Sequence, residues 1–289
     1  MTGRYTIYGD LATRETLTLA TVLHAKRVEV EFVEQTASLA FALASRAGRE
    51  QGAYLRTPEG FVLADLHAML EFIERVHPEP SLVPTTPVRR TCTRLLEDWL
   101  ELWLPHWPRR SWGTLERLEV HLAAAGFLLG PRPSRADWIL AGWLETEVLV
   151  HAHARTHLER EAPRLVSFGE DLLAWQRPST EVIDDVIPIS LLGVLEEIAT
   201  DYHAYLARNH QSLKDHEERV PIDLSLGLRA LPVSPLAEAR RLELGREIRD
   251  LDRAIRRRVV EVLEPVGAWH VLSLPPALEE MDRADPRSL

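Results

Sequence analysis

Cysteine is nearly missing from this chain. A single residue, Cys92, stands among 289, which excludes an internal disulfide and any thiolate metal cluster. Long apolar runs are missing too, since no uncharged stretch reaches the roughly 18 residues that suggest a membrane span. Positive charge is in deficit, with 34 Lys and Arg against 44 Asp and Glu, a net charge of -10. Such an acidic surface repels phosphate backbones, so neither nucleic acid nor a membrane is an expected partner. The first residues also lack the basic stretch and apolar run of a secretory signal, and a cytoplasmic protein is expected.

What is present divides along the chain, and the length suggests roughly two domains. "RYTIY" (4–8) and "VEVEFV" (28–33) are short and rich in β-branched and aromatic residues, with a helix-length segment between them. Strand, helix, strand favours a parallel pair. "AYLRTPEGFVLAD" holds two short apolar runs around Pro58 and Gly60, a pattern that predicts an antiparallel hairpin. Leu66, Met69, Ile73 and Val76 then follow at steps of three, four and three, as on an amphipathic helix. "HPEPSLVPTTPV" (77–88) carries four prolines and little that could pack, and reads as a linker.

Beyond it the pattern is helical almost to the end. Cys92, Leu95, Trp99 and Trp103 share a face, as do Leu115, Leu118, Leu122 and Ala125, and later Leu244, Ile248, Leu251, Ile255, Val259 and Val262. A small α/β domain thus precedes a larger all-helical one. "FLLGPRPSRADWILAGWL" (127–144) is the most specific stretch. Ser134 followed by Asp137 is a capping-box arrangement. The helix it opens is apolar on nearly all sides, so it belongs in the interior, where losing the cap costs about 1 kcal/mol or more.

With these stretches in view, the sequence resembles a glutathione S-transferase. The likeness rests on "YTIYGDLATRETLTLATVL", on "GAYLRTPEGFVLADLHAMLEFIERVHPEPSLVP", and on "FLLGPRPSRADWILAGWL" with the downstream "EAPRLVSFGEDLLAW". Together these span residues 5 to about 175. The resemblance implies an α+β thioredoxin-like N-terminal domain (1–80), an all-α glutathione-transferase C-terminal domain (88–180), and a helical extension (181–289) similar to that of a bacterial subgroup. It implies glutathione as a substrate, a small hydrophobic electrophile as co-substrate, and a homodimer. No metal is expected.

In the family a hydroxyl or thiol donor just after the first strand stabilises the glutathione thiolate. Here Thr13 stands near that position, and Tyr8 could supply a phenol from the strand end; a threonine so placed is also a common helix N-cap. The family's cis-proline at the start of the hairpin, whose neighbours offer backbone hydrogen bonds to glutathione, corresponds to Ala53, followed by Tyr54. A non-proline cis bond costs about 2.5–4 kcal/mol, so a trans peptide is expected there. The acidic residue and serine that hold the γ-glutamyl group correspond to Asp65 and Leu66. Asp65 can still meet an ammonium, and the helix start can attract a carboxylate, but Leu66 brings no hydroxyl and fits the apolar stripe. These departures erode the site, leaving a weakened transferase or a non-catalytic binding or scaffold protein as the two functions open.

Other groups have readings of their own. In "HAHARTH" (151–157) His153 and His157 have i, i+4 spacing, but His151 would point nearly opposite His153, so a solvated helix end competes with a metal site. In "DWLELWLPHWPRRSW" Trp99 and Trp103 are core by periodicity, and Trp107 and Trp112 flank a helix break beside Arg109 and Arg110. In the family the helix after the linker lines the co-substrate cleft, so Trp103, Trp107 and Trp112 are its expected walls, with simple packing as the alternative. "RDLDRAIRRR" is a charge run on the exposed face of a helix or a partner surface.

Overall fold

A computed structural model describes residues 4–48, 52–104, 112–175, 184–224 and 227–278. The first stretch runs β1 (Tyr5–Tyr8), α1 (Arg14–Ala25), β2 (Val30–Val33), α2 (Ala37–Ala47), β3 (Tyr54–Arg56), β4 (Val62–Ala64) and α3 (Leu66–Val76). Its four strands are ordered β2-β1-β3-β4, with β1 parallel to β2 and antiparallel to β3, and β4 antiparallel to β3. The expected thioredoxin-like pattern is therefore present. Gly60, at φ 94°, closes the β3–β4 turn in a conformation that L side chains resist, and its N–H donates to the Thr57 carbonyl.

Residues 77–86 carry no helix or strand. Contrary to the composition-based reading, part of this segment packs: Leu82 is 2% exposed, its N–H donates to Glu74, and its carbonyl accepts from the N–H of Arg135. Then come α4 (Pro87–Asp98), a π-helical turn (Trp99–Trp103), and α5 (Trp112–Ala125), followed by α6 (Arg135–Trp143), α7 (Ala152–Glu161) and α8 (Pro163–Ala174). Every residue of α6 is buried, as its all-round apolarity requires. The Asp137 carboxylate accepts from both the N–H and the hydroxyl of Ser134 at 2.7 and 2.8 Å, completing the predicted box. Gly142 lets α6 lie against α1, since a Cβ there would stand 2.2 Å from the Thr18 hydroxyl.

The last stretch comprises α9 (Leu191–Ile198), α10 (Ala204–Lys214), β5 (Arg219–Leu224), β6 (Gly227–Pro232), α11 (Pro235–Asp250), α12 (Arg253–Leu263) and α13 (Ala268–Leu272). It differs from the all-helical expectation at β5–β6, an antiparallel hairpin. The cause is local: buried Val220 and Ile222 alternate with exposed Arg219, Pro221 and Asp223, a period of two that suits a half-buried strand. The apolar series from Leu244 to Val262 is also not one helix. The chain leaves helical geometry at Leu251, and the Asp252 side chain accepts from the Ala254 N–H to cap a new start. "RDLDRAIRRR" spans this break, with Arg253, Arg257 and Arg258 exposed.

By packing, the chain forms two compact units, each from two stretches: Met1–Val83 with Arg132–Glu181, and Pro84–Pro131 with Val182–Leu289. Among the described residues no helix is long and apolar enough to cross a membrane.

Candidate functional site

The sheet register brings three chain segments to one edge of the first unit. Tyr8, last in β1, pairs with Tyr54, first in β3, and Tyr54 pairs with Ala64, last in β4. The turn after β1, the residues before β3 and the start of α3 therefore neighbour one another, so Tyr8, Thr13, Ala53, Tyr54, Asp65 and Leu66 all lie in this region of one unit.

Thr13 occupies the N-cap position of α1, but its side chain makes no capping bond. Its hydroxyl lies 2.8 Å from both the Asp10 carbonyl and the Thr16 hydroxyl. A hydroxyl has one proton, and the Asp10 carbonyl, which cannot donate, takes it. Gly9 is what allows this compact turn: a Cβ there would stand 2.2 Å from Thr16 Oγ1. Tyr8 is 8% exposed and its ring belongs to an apolar cluster with Leu43 and Tyr54. The Arg56 guanidinium stands 5.9 Å from the centre of the Tyr8 ring.

Ala53 and Tyr54 are both 1% exposed. Among the described residues the cis peptide is Glu79–Pro80, so the bond before Ala53 is trans, as its residue type demands. Gln35, which the sequence reading missed, donates from Nε2 to the Tyr8 carbonyl at 2.9 Å and the Gly52 carbonyl at 3.2 Å. It ties the end of β1 to the approach to β3. No local motif marks a glutamine for that task, since its two acceptors are distant in sequence.

Asp65 carries the most unusual backbone of the group. It sits at φ 83°, ψ 115°, a region that non-glycine residues seldom occupy and that costs on the order of 1–3 kcal/mol. Its Oδ1 accepts from the Ala68 N–H at 2.9 Å, capping α3. Leu66 is 5% exposed and continues into the buried stripe of Met69 and Ile73, so its core reading holds. Arg14, first in α1, is 8% exposed and its guanidinium donates to Glu15 at 2.9 Å. Glu15 in turn lies over Gly52, where a Cβ would meet its carboxylate at 3.6 Å.

Of the expected cleft walls, Trp103 and Trp112 belong to the other unit. Trp103 is 2% exposed and packs on Tyr202 and Tyr205 with ring centres 5.9 and 5.4 Å away. Trp112 is half-buried at the start of α5, and Trp107 lies outside the described residues. His153 and His157 both sit on α7; among the described residues no three His, Cys, Asp or Glu side chains gather as a metal ion would need.

No protein-family model matches the sequence, and no curated protein matches it as a relative. Solved structures do match. A glutathione S-transferase from Rhodospirillum rubrum F11 superposes with a TM-score of 0.52 at 18% identity, covering 64% of this chain and 96% of its own. The Tau class glutathione S-transferase of mango, Mangifera indica, gives 0.50 at 15% identity, covering 66% of this chain and 95% of its own. About a third of the present chain thus lies outside either match. With the four-stranded sheet and the helical body, these likenesses show that the chain has the glutathione S-transferase fold.

Proposed function

We propose that this chain is a glutathione S-transferase-like protein that binds glutathione at the shared edge of β1, β3 and α3. The observation that carries the proposal is Asp65, a non-glycine residue held at φ 83° where β4 passes into α3. Strain of this kind persists where the surrounding structure has a use for it. The geometry keeps a carboxylate at the helix start, able to meet the ammonium of a γ-glutamyl group, beside backbone N–H groups that favour a carboxylate. In the catalytic form of this reading the Thr13 hydroxyl turns from the Asp10 carbonyl to the glutathione sulfur and lowers its pKa. The thiol proton passes to solvent, and the thiolate attacks a small hydrophobic electrophile, forming a carbon–sulfur bond as the electrophile's leaving group departs with its electron pair.

A second reading, a non-catalytic protein that retains the fold for binding or assembly, is favoured by the side chains around that backbone. The Thr13 proton is already engaged, Ala53 stands where the family's cis-proline would be, and Leu66 packs in the core. One experiment separates the two: calorimetric titration with reduced glutathione, followed by the ultraviolet thiolate absorbance of the bound ligand, on the parent and on Thr13→Val. Binding with a thiolate signal that Thr13→Val removes supports the enzyme. Binding without a thiolate signal supports the scaffold. Silence at millimolar glutathione overturns the glutathione site itself.

A further inference from the structure

In the second unit the fully buried His121 of α5 stands between two oxygens. Its Nε2 lies 2.9 Å from the Leu128 carbonyl and its Nδ1 2.9 Å from the Ser190 hydroxyl. A carbonyl can only accept, so the ring proton sits on Nε2. Nδ1 then turns its lone pair to Ser190 and accepts the hydroxyl's hydrogen bond. Burial lowers the His121 pKa against the opposing pull of the Leu128 carbonyl, which keeps the ring neutral near pH 7. A serine that donates to a histidine, itself oriented by a third group, has the arrangement of a nucleophile and its base.

Packing alone does not account for this pair. Arg89 already joins the same two segments, donating to the Leu129 carbonyl at 2.6 Å and to the Val186 carbonyl at 3.0 Å. Ser190 holds the N-cap position of α9, yet its side chain makes no capping bond, which forgoes about 1 kcal/mol. Its backbone is already helical, so Gly193, three residues on, shares its face. Glycine inside a helix costs about 0.5–1 kcal/mol relative to alanine. No close contact demands it here, since a Cβ at Gly193 would meet nothing within 4 Å. The helix surface beside Ser190 is therefore bare and open. Val186 and Ile189, just before it in the chain, are 60% and 85% exposed and offer apolar surface.

We propose that Ser190 is a nucleophile, with His121 as its base, that accepts a small apolar acyl group from an activated ester. Oγ attacks the ester carbonyl carbon as its proton passes to His121 Nδ1, and the carbonyl π pair moves onto oxygen. When that pair returns, the bond to the leaving oxygen breaks; this oxygen keeps the bonding electrons and takes the proton from Nδ1. Acyl-serine and the free alcohol or phenol are the products. The start of α9 favours the negative charge that develops on the attacked carbonyl, and the Leu128 carbonyl holds the Nε2 proton while the ring is charged. The step is separate from the glutathione reading, whose residues belong to the first unit.

The test is incubation of the full chain with p-nitrophenyl acetate, following p-nitrophenolate by absorbance and locating the acetyl group by peptide mass spectrometry. Acetylation of Ser190 is expected, with its loss in Ser190→Ala. His121→Gln keeps hydrogen-bonding groups but supplies no base, and labelling about a hundredfold slower is expected, as removal of a general base implies. Should that variant fail to fold, Gly193→Leu decides. Its side chain enters open space, so the unfolding midpoint is expected to match or exceed the parent's while labelling slows. Ser190 left without an acetyl group overturns the proposal. Labelling as fast as the parent's in folded His121→Gln, or in Gly193→Leu, also overturns it. Failure of glutathione to bind leaves the Ser190 result standing by itself.

Discussion

In the unit that holds the sheet, Lys26 is buried with each of its donors placed, on Glu74 and on two carbonyls of the segment that follows α3. In the other unit, Asp98 is buried beside a π-helical turn and must share the Arg240 guanidinium with Glu101, at 3.2 and 3.0 Å. The consequences differ. Burial pulls the Lys26 pKa down while Glu74 works against it, so the charged pair is held by its neighbours. Burial, reinforced by Glu101, overcomes Arg240 and pushes Asp98 up to about 7. His203, in the same unit, is pulled down to about 3 by burial alone. One unit thus encloses a satisfied ion pair, and the other encloses an aspartate that titrates near neutral pH and a histidine that burial keeps neutral. The satisfied network also has a structural task, since Glu74 accepts from Ser81 and from the Leu82 N–H and so fixes the chain as it leaves α3.

The largest expected effect removes the Lys26 ammonium. Lys26→Met strands Glu74, whose side chain is 16% exposed, and loss of one member of a buried pair costs about 3–5 kcal/mol. Urea unfolding is the measurement. The double variant Lys26→Met/Glu74→Gln is expected to recover part of the loss, because it no longer buries an unpaired charge. Equal losses in the single and double variants would show that the carbonyl contacts matter more than the pair.

The next effect belongs to the other unit and depends on pH. Asp98 binds its proton more tightly folded than unfolded, so its contribution is fully present below its ordinary value of 3.8 and is lost as pH rises through about 7. His203 behaves oppositely: its contribution is full above 6.5 and is lost as pH falls toward about 3. Between pH 4 and 6.5 the two oppose each other. Asp98→Asn is expected to leave a stability that rises with pH over this interval, and His203→Gln one that falls, each by on the order of 2 kcal/mol. Urea midpoints across the interval check this, and identical pH profiles in the two variants would remove the contrast between the units.

How far these features could be read from the sequence depended on how local their causes are. The β1–α1–β2 order rests on the pattern inside each element, the turn at Gly60 and the capping box at Ser134 on residues within a few positions of one another, and each is present. The β5–β6 hairpin was missed because Val220 and Ile222 form a short alternation inside a long helical context. The break at Asp252 was missed because the apolar spacing continues across it. At the candidate site the residues could be named from a family pattern, but Gln35 bridging two carbonyls and Thr13 turning to Asp10 depend on contacts that no single segment encodes. The Ser190–His121 pair is farther still from the sequence, joining α5, the turn that follows it and the start of α9.

The smallest effect tests whether strain at Asp65 has a function. Asp65→Ala loses the cap on the Ala68 N–H and keeps a Cβ at φ 83°, so it is expected to cost about 1 kcal/mol or slightly more. Asp65→Gly loses the same cap but relieves the backbone, because glycine occupies positive φ without steric cost. It is expected to be about 1 kcal/mol more stable than the alanine variant, and so close to the parent. Thermal or urea unfolding of the three proteins resolves the difference. A glycine variant as stable as the parent, yet unable to bind glutathione, would show that the aspartate is kept for its carboxylate at the expense of an easier backbone. If glycine and alanine instead lose the same stability, capping accounts for Asp65, and the strained backbone no longer argues for a ligand at that edge of the sheet.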